Sequence, residues 1–263
     1  MQVAKEQDHP SEVSRSSDEL RLRRDLAAAY RLVAHFGMDD IIYTHISARL
    51  PGRHDRFLLN AYGQRFDEVT ASSLVTVDMD GQVIEDPCNL GINPAGFTIH
   101  SAVHAARPDV VCVLHTHTVS GVAVSCQADG LLPLNQWSLQ FHDRIAYHDY
   151  EGIALDHEER QRLVADLGEQ YVMILRNHGT LTCGRSVSEG FKLMYNLERA
   201  CRAQLAVQAS GAELVLPDPA VREKTARQYE RFYEKLETDG TVADSEWDAL
   251  LRLADTHCPG YAA

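Results

Sequence analysis

The chain has no basic tract that would suit a nucleic-acid groove. Its net charge is −13 over 263 residues, and its one short basic run, Arg21-Leu22-Arg23-Arg24, is expected on the exposed face of a helix. No apolar run reaches the roughly 18 residues that a membrane-crossing helix needs, and Met1 to Ser17 lack the apolar core of a secretory signal. The cysteines Cys88, Cys112, Cys126, Cys183, Cys201 and Cys258 form no Cys-x-x-Cys pair. A reducing, cytoplasmic setting is therefore expected. Internal repeats and low-complexity tracts are absent. What remains is an ordinary globular composition, 44% hydrophobic and 24% charged, which is enough apolar material for one sizeable core.

Hydrophobic periodicity divides the chain into elements. Residues 1–17 are polar and expected to be disordered. Ser17-Asp18-Glu19 reads as a helix start, and Leu22, Leu26, Tyr30 and Val33 form one stripe of a helix that stops at Gly37. Ile41 to Ala48, Arg56 to Asn60 and Leu74 to Asp78 read as strands of a small antiparallel unit, separated by Pro51-Gly52, Tyr62-Gly63 and Asp80-Gly81 turns. A helix from Pro94 to Ala106 ends at Arg107-Pro108. Further on, Val119 to Cys126 suggests a short helix, Leu131 to Trp137 a loop or strand, and Arg144 to Gly152 an exposed or interfacial strand. His157 to Leu167 and Ser186 to Ala209 read as helices. Pro219 to Leu253 is charged and helical by period. The expected organisation is a main domain over residues 18–215 and a C-terminal helical extension over 216–263.

The chemistry-bearing pattern is Val110-Val111-Cys112-Val113-Leu114-His115-Thr116-His117, an apolar run that ends in two histidines one residue apart. Side chains at i and i+2 of a strand leave the same face, so both imidazoles are expected in one site. A second apolar run, Val172 to Asn177, ends in His178 beside Gly179. Three neutral nitrogens can hold a divalent metal and leave coordination positions free. The alternative is a set of histidines satisfied by hydrogen bonds at a sheet edge.

Gly91-Ile92-Asn93-Pro94-Ala95-Gly96-Phe97-Thr98-Ile99-His100-Ser101, Ala105-Ala106-Arg107-Pro108-Asp109, His115-Thr116-His117 and Arg176-Asn177-His178-Gly179 together resemble the class II aldolase/adducin family, and its adducin-like branch most of all. The resemblance covers about residues 20 to 215. It implies an α/β fold, a three-layer αβα sandwich with a mainly antiparallel central sheet. It also implies a homotetramer with active sites near subunit contacts, and one divalent ion per subunit, zinc, manganese or iron, on His115, His117 and His178.

The sequence departs from the sugar-phosphate aldolases of that family in several places. They carry an acidic residue four positions before the histidine that matches His100; here that position is Gly96. Their phosphate-cradling Gly-Asn pair matches Thr44-His45, their Thr-x-Thr-Gly loop matches Asn60-Ala61-Tyr62-Gly63, and their leaving-group tyrosine falls near Trp137. These changes point away from a phosphorylated sugar. The expected activity is a metal-dependent carbon–carbon lyase, by aldol cleavage or decarboxylation, on a small non-phosphorylated anionic carbonyl or hydroxy acid. A non-haem iron oxygenase acting on an aromatic keto acid and a non-catalytic adducin-like interaction protein are the alternatives. The acid–base candidates are His100 and His142, with His148 behind them. The substrate-binding candidates are His45, Asn60, Tyr62 and Arg176. Neither nucleic acid nor membrane is expected as a partner.

Overall fold

The computed structural model describes residues 15–152, 158–238 and 244–263. Among them are the strands β1 (His45–Arg49), β2 (Arg56–Leu59), β3 (Val75–Asp78), β4 (Val83–Glu85), β5 (Cys112–Thr116), β6 (Ala146–His148), β7 (Val172–Leu175) and β8 (Gly179–Gly184). They form one sheet in the order β4-β3-β2-β1-β5-β8-β7-β6. Every neighbouring pair is antiparallel except β6 with β7. The helices are α1 (Ser17–His35), α2 (Pro94–Ala106), α3 (Val119–Ser125), α4 (Gln136–Leu139), α5 (Glu159–Leu167), α6 (Val187–Ala209), α7 (Pro219–Thr238) and α8 (Ser245–His257).

The sheet is covered on both faces, which is why β5 reads as an unbroken apolar run. Cys112 and Leu114 point into a core shared with Leu26, Tyr30 and Val33 of α1 and Phe191 and Met194 of α6. Val113 points the other way, into a core with Ile99 and Val103 of α2 and Leu163 and Leu167 of α5. This is the three-layer αβα arrangement expected. By the same alternation His115 falls on the α2 face.

Several expectations shift. The cap of α1 is Ser16, whose side chain accepts from the Glu19 amide, so the helix starts one residue earlier than expected. Residues 1–14 lie outside the described residues, and Ser17 is already helical. Arg23 is buried rather than exposed: its guanidinium donates to Glu19, the Leu74 carbonyl, Thr76 and Glu85. The partner Glu85 comes from β4, a three-residue strand too short to show a period. The expected strand over Ile41 to Ala48 starts only at His45; before it, Ile41 (φ 54) and Thr44 (φ 65) take left-handed backbone. Leu131 to Trp137 leads into α4, which Asn135 caps by accepting from the Trp137 and Ser138 amides. His157 lies outside the described residues, and α5 opens at Glu159. The C-terminal residues fold back. Trp247, Ala254 and Tyr261 join the α1 core, and the Tyr261 and Ala263 carbonyls accept from Ala71 and Ser72.

Candidate metal centre

Three histidine rings meet where the central strands end. His115 lies within β5, His117 follows it on the way to α3, and His178 sits in the tight turn from β7 to β8 rather than on the strand itself. That turn runs through Asn177 at φ 56, a conformation asparagine tolerates better than most residues. Gly179 is required next to it: a Cβ there would stand 2.4 Å from the Thr116 carbonyl oxygen.

The Nε2 atoms of His115 and His117 are 2.9 Å apart, as are those of His178 and His117. One ligand atom from each of the three falls within 4.8 Å of the others. The outer nitrogens decide what this means. His115 Nδ1 lies 2.9 Å from the Thr180 carbonyl, which can only accept, and His117 Nδ1 lies 3.0 Å from the Asp40 carboxylate. Each ring therefore turns Nδ1–H to an acceptor and its Nε2 into the cluster. Nε2 atoms 2.9 Å apart need a metal ion or a proton between them, and burial disfavours a proton on two of the three rings. Burial first, then His178 and His117, hold His115 well below its ordinary 6.5. Burial, then His117 and His148, bring His178 down to about 4. The donor set fits a divalent metal.

Beside this cluster, on the α2 face, lie His45 and His100. His45 is paired directly with His115 across β1 and β5, and its ring centroid is 5.9 Å from that of His100. His100 Nδ1 is 2.6 Å from Ser47 Oγ, which is in turn 2.8 Å from His104 Nε2. The other expected residues are more dispersed. Asn60 is buried, its carboxamide accepting from Tyr30 and donating to the Ala61 carbonyl. Tyr62 is 41% exposed. The Arg176 guanidinium donates to the Gln127 carbonyl and stacks on Tyr147, 4.3 Å from its centroid. His142 stands apart from the cluster, between α4 and β6, next to Asp143. His148 is buried on β6 with its Nδ1 2.7 Å from Asp166. Trp137 lies under Arg199.

Sequence reasoning missed Asp40, which sits in an irregular turn with no period to mark it. It also missed the Ser47 link, although His45 and Ser47 stand two apart on one strand, the same signal as His115 and His117. Glu198 was missed as well: buried on α6, it accepts from Thr118 and Ser120 at the start of α3.

Residues 24–205 match the family described as Class II Aldolase and Adducin N-terminal domain. The chain is 51% identical over 247 residues to the "Putative aldolase class 2 protein" of Pseudomonas aeruginosa, a match over 94% of this chain and 93% of that protein. A crystal structure of an aldolase II superfamily protein from Pseudomonas syringae superposes with a TM-score of 0.86 at 51% identity, covering 94% of this chain and 97% of that one. The L-fuculose 1-phosphate aldolase from Glaciozyma antarctica PI12 superposes with a TM-score of 0.80 at 25% identity, covering 96% and 97%. The chain belongs to the class II aldolase and adducin N-terminal domain family. Its His115/His117/His178 cluster is consistent with one divalent metal. Among the described residues no helix is long and apolar enough to cross a membrane.

Proposed function

We propose that this protein is a divalent-metal-dependent carbon–carbon lyase acting on a small non-phosphorylated carbonyl or hydroxy acid. The observation that carries the reading is the convergence of three histidine Nε2 atoms, those of His115 and His178 each 2.9 Å from that of His117, with Nδ1 of His115 and His117 turned outward onto acceptors. His115, His117 and His178 hold the ion, which supplies Lewis-acid stabilisation of negative charge on a substrate oxygen. Three neutral ligands cancel none of its charge, so the site favours an anionic, chelating substrate. Asn60 is committed to Tyr30, and Arg176 to Gln127 and Tyr147. Both commitments support a substrate without phosphate. His100 is the acid–base candidate beside the cluster. His142 enters this reading only across a subunit contact of a homo-oligomer.

The test is elemental analysis of protein purified without chelator or affinity metal, with product and oxygen assays on a panel of aliphatic and aromatic hydroxy and keto acids. About one equivalent of zinc or manganese per chain, with carbon–carbon cleavage and no oxygen uptake, is expected. Stoichiometric iron with substrate-dependent oxygen uptake would replace the lyase by an oxygenase. A metal-free protein that takes up no added divalent ion would remove the reading altogether.

A further inference from the structure

Position 96 is filled from elsewhere in the chain. A Cβ built on Gly96 would lie 2.1 Å from His45 Nδ1, 2.2 Å from Cε1 and 2.6 Å from Cγ. The His45 imidazole thus occupies the space that any side chain at 96 would need, and α2 passes it only because residue 96 has none. The carboxylate missing from α2 has an imidazole in its place, brought in from β1.

Two further observations bear on what this ring is for. His45 is 5% exposed and His100 1%, yet neither nitrogen of His45, nor Nε2 of His100, has a hydrogen-bond partner among the described residues. Buried polar atoms without partners are costly and rare, and two such rings stand side by side here. The Nδ1–Cε1 edge of His45 lies against Gly96, so Nε2 is on the edge turned away from α2. The backbone leading into β1 is strained to deliver the ring: Ile41 and Thr44, both β-branched, have φ of 54 and 65, and strain of this kind persists where function over-determines it. Cross-strand partners share a face of the sheet, and His45 is the partner of His115.

We propose that His45 is a specificity-determining residue whose Nε2, with that of His100, receives a hydroxyl group of the substrate held at the three histidines. This rests on the lyase reading above and narrows its substrate to a hydroxy acid with a hydroxyl beyond those that chelate. The chemistry of the pair selects that group. Both rings are buried, and His45 Nδ1, His45 Nε2 and His100 Nε2 have no hydrogen-bond partner, charged or neutral, among the described residues. An imidazole nitrogen can donate to or accept from a hydroxyl, which is donor and acceptor in one atom. A second anionic group buried there would have no countercharge.

The experiment compares glycolate with glycerate, which adds one hydroxyl, by titration of the cobalt(II)-loaded protein followed in its visible absorption. Wild type is expected to prefer glycerate by about tenfold, the size of one buried hydrogen bond. His45→Phe, which keeps a ring and loses both nitrogens, should lose that preference while binding cobalt and glycolate within about twofold of wild type; His45→Gln, which retains a donor and an acceptor, should keep part of it. Equal binding of the two acids by wild type, or a preference that survives His45→Phe, would overturn the proposal. A protein that gives no cobalt spectrum would instead remove the lyase reading. The placement of the ring is tested separately in metal-free protein. Gly96→Ala should lower the melting temperature, and Gly96→Ala combined with His45→Ala should recover most of the loss. An unperturbed Gly96→Ala variant would show that the ring does not stand over position 96, and so would overturn the proposal too.

Discussion

His117 donates its Nδ1 proton to the Asp40 carboxylate across 3.0 Å, and that single contact decides which nitrogen of His117 faces His115 and His178. Outer partners of this kind tune a metal site by about 10- to 100-fold in affinity. Asp40→Ala is therefore expected to weaken zinc binding by about that factor with the fold intact, measured by competition against a chromophoric chelator. Unchanged affinity would show that the tautomer of His117 is set some other way.

His104 makes a separate prediction about acid. Burial, then the charge of Arg49, bring it from its ordinary 6.5 down to about 3. Between those values the unfolded chain binds a proton that the folded chain refuses. Stability contributed by neutral His104 is thus complete above pH 6.5 and is lost as pH falls toward 3. Carboxylates titrate in the same range, so the reading is a difference: urea midpoints of His104→Gln should fall less steeply than wild type from pH 6.5 to 4, whatever the variant loses at pH 8.

Thr44 is a β-branched residue in left-handed backbone, and glycine carries no such penalty. Thr44→Gly should raise stability by about 1 kcal/mol in urea denaturation, an uncommon direction for a substitution at a buried position. A loss of stability would mean that the contacts of the threonine outweigh its strain.

Glu198 accepts from Thr118 across 2.5 Å and also from Ser120, and Thr118 caps α3 by accepting from the Gly121 amide. Removing the carboxylate leaves two buried hydroxyls without their acceptor. Glu198→Ala is expected to cost about 2 kcal/mol, with Glu198→Gln costing less because an acceptor remains.

The three-histidine cluster itself was legible: His115 and His117 stand two apart at the end of a run whose apolar residues alternate between two cores, and His178 follows the other buried run, although it is the β7–β8 turn and not a strand that carries it. The αβα layering was legible for the same reason, since β5 and β7 are apolar on both faces. The environment of the cluster was not. Ile41 has strand propensity, yet it lies in a left-handed turn that delivers Asp40 to His117. Gly96 read as the place of the acidic residue that the resemblance implies; in the structure any side chain there would run into the His45 ring.

Local pattern determined which residues form strands and helices and which imidazoles end them, because alternation and periodicity are properties of neighbours in the chain. Tertiary structure alone decided that Thr180 and Asp40 orient the His115 and His117 rings, that Arg23 is buried against Glu85, and that His45 takes the room at Gly96. Those pairs are brought together by the order and register of strands and by the path of α2, and close approach between distant residues is set by packing that no local period encodes.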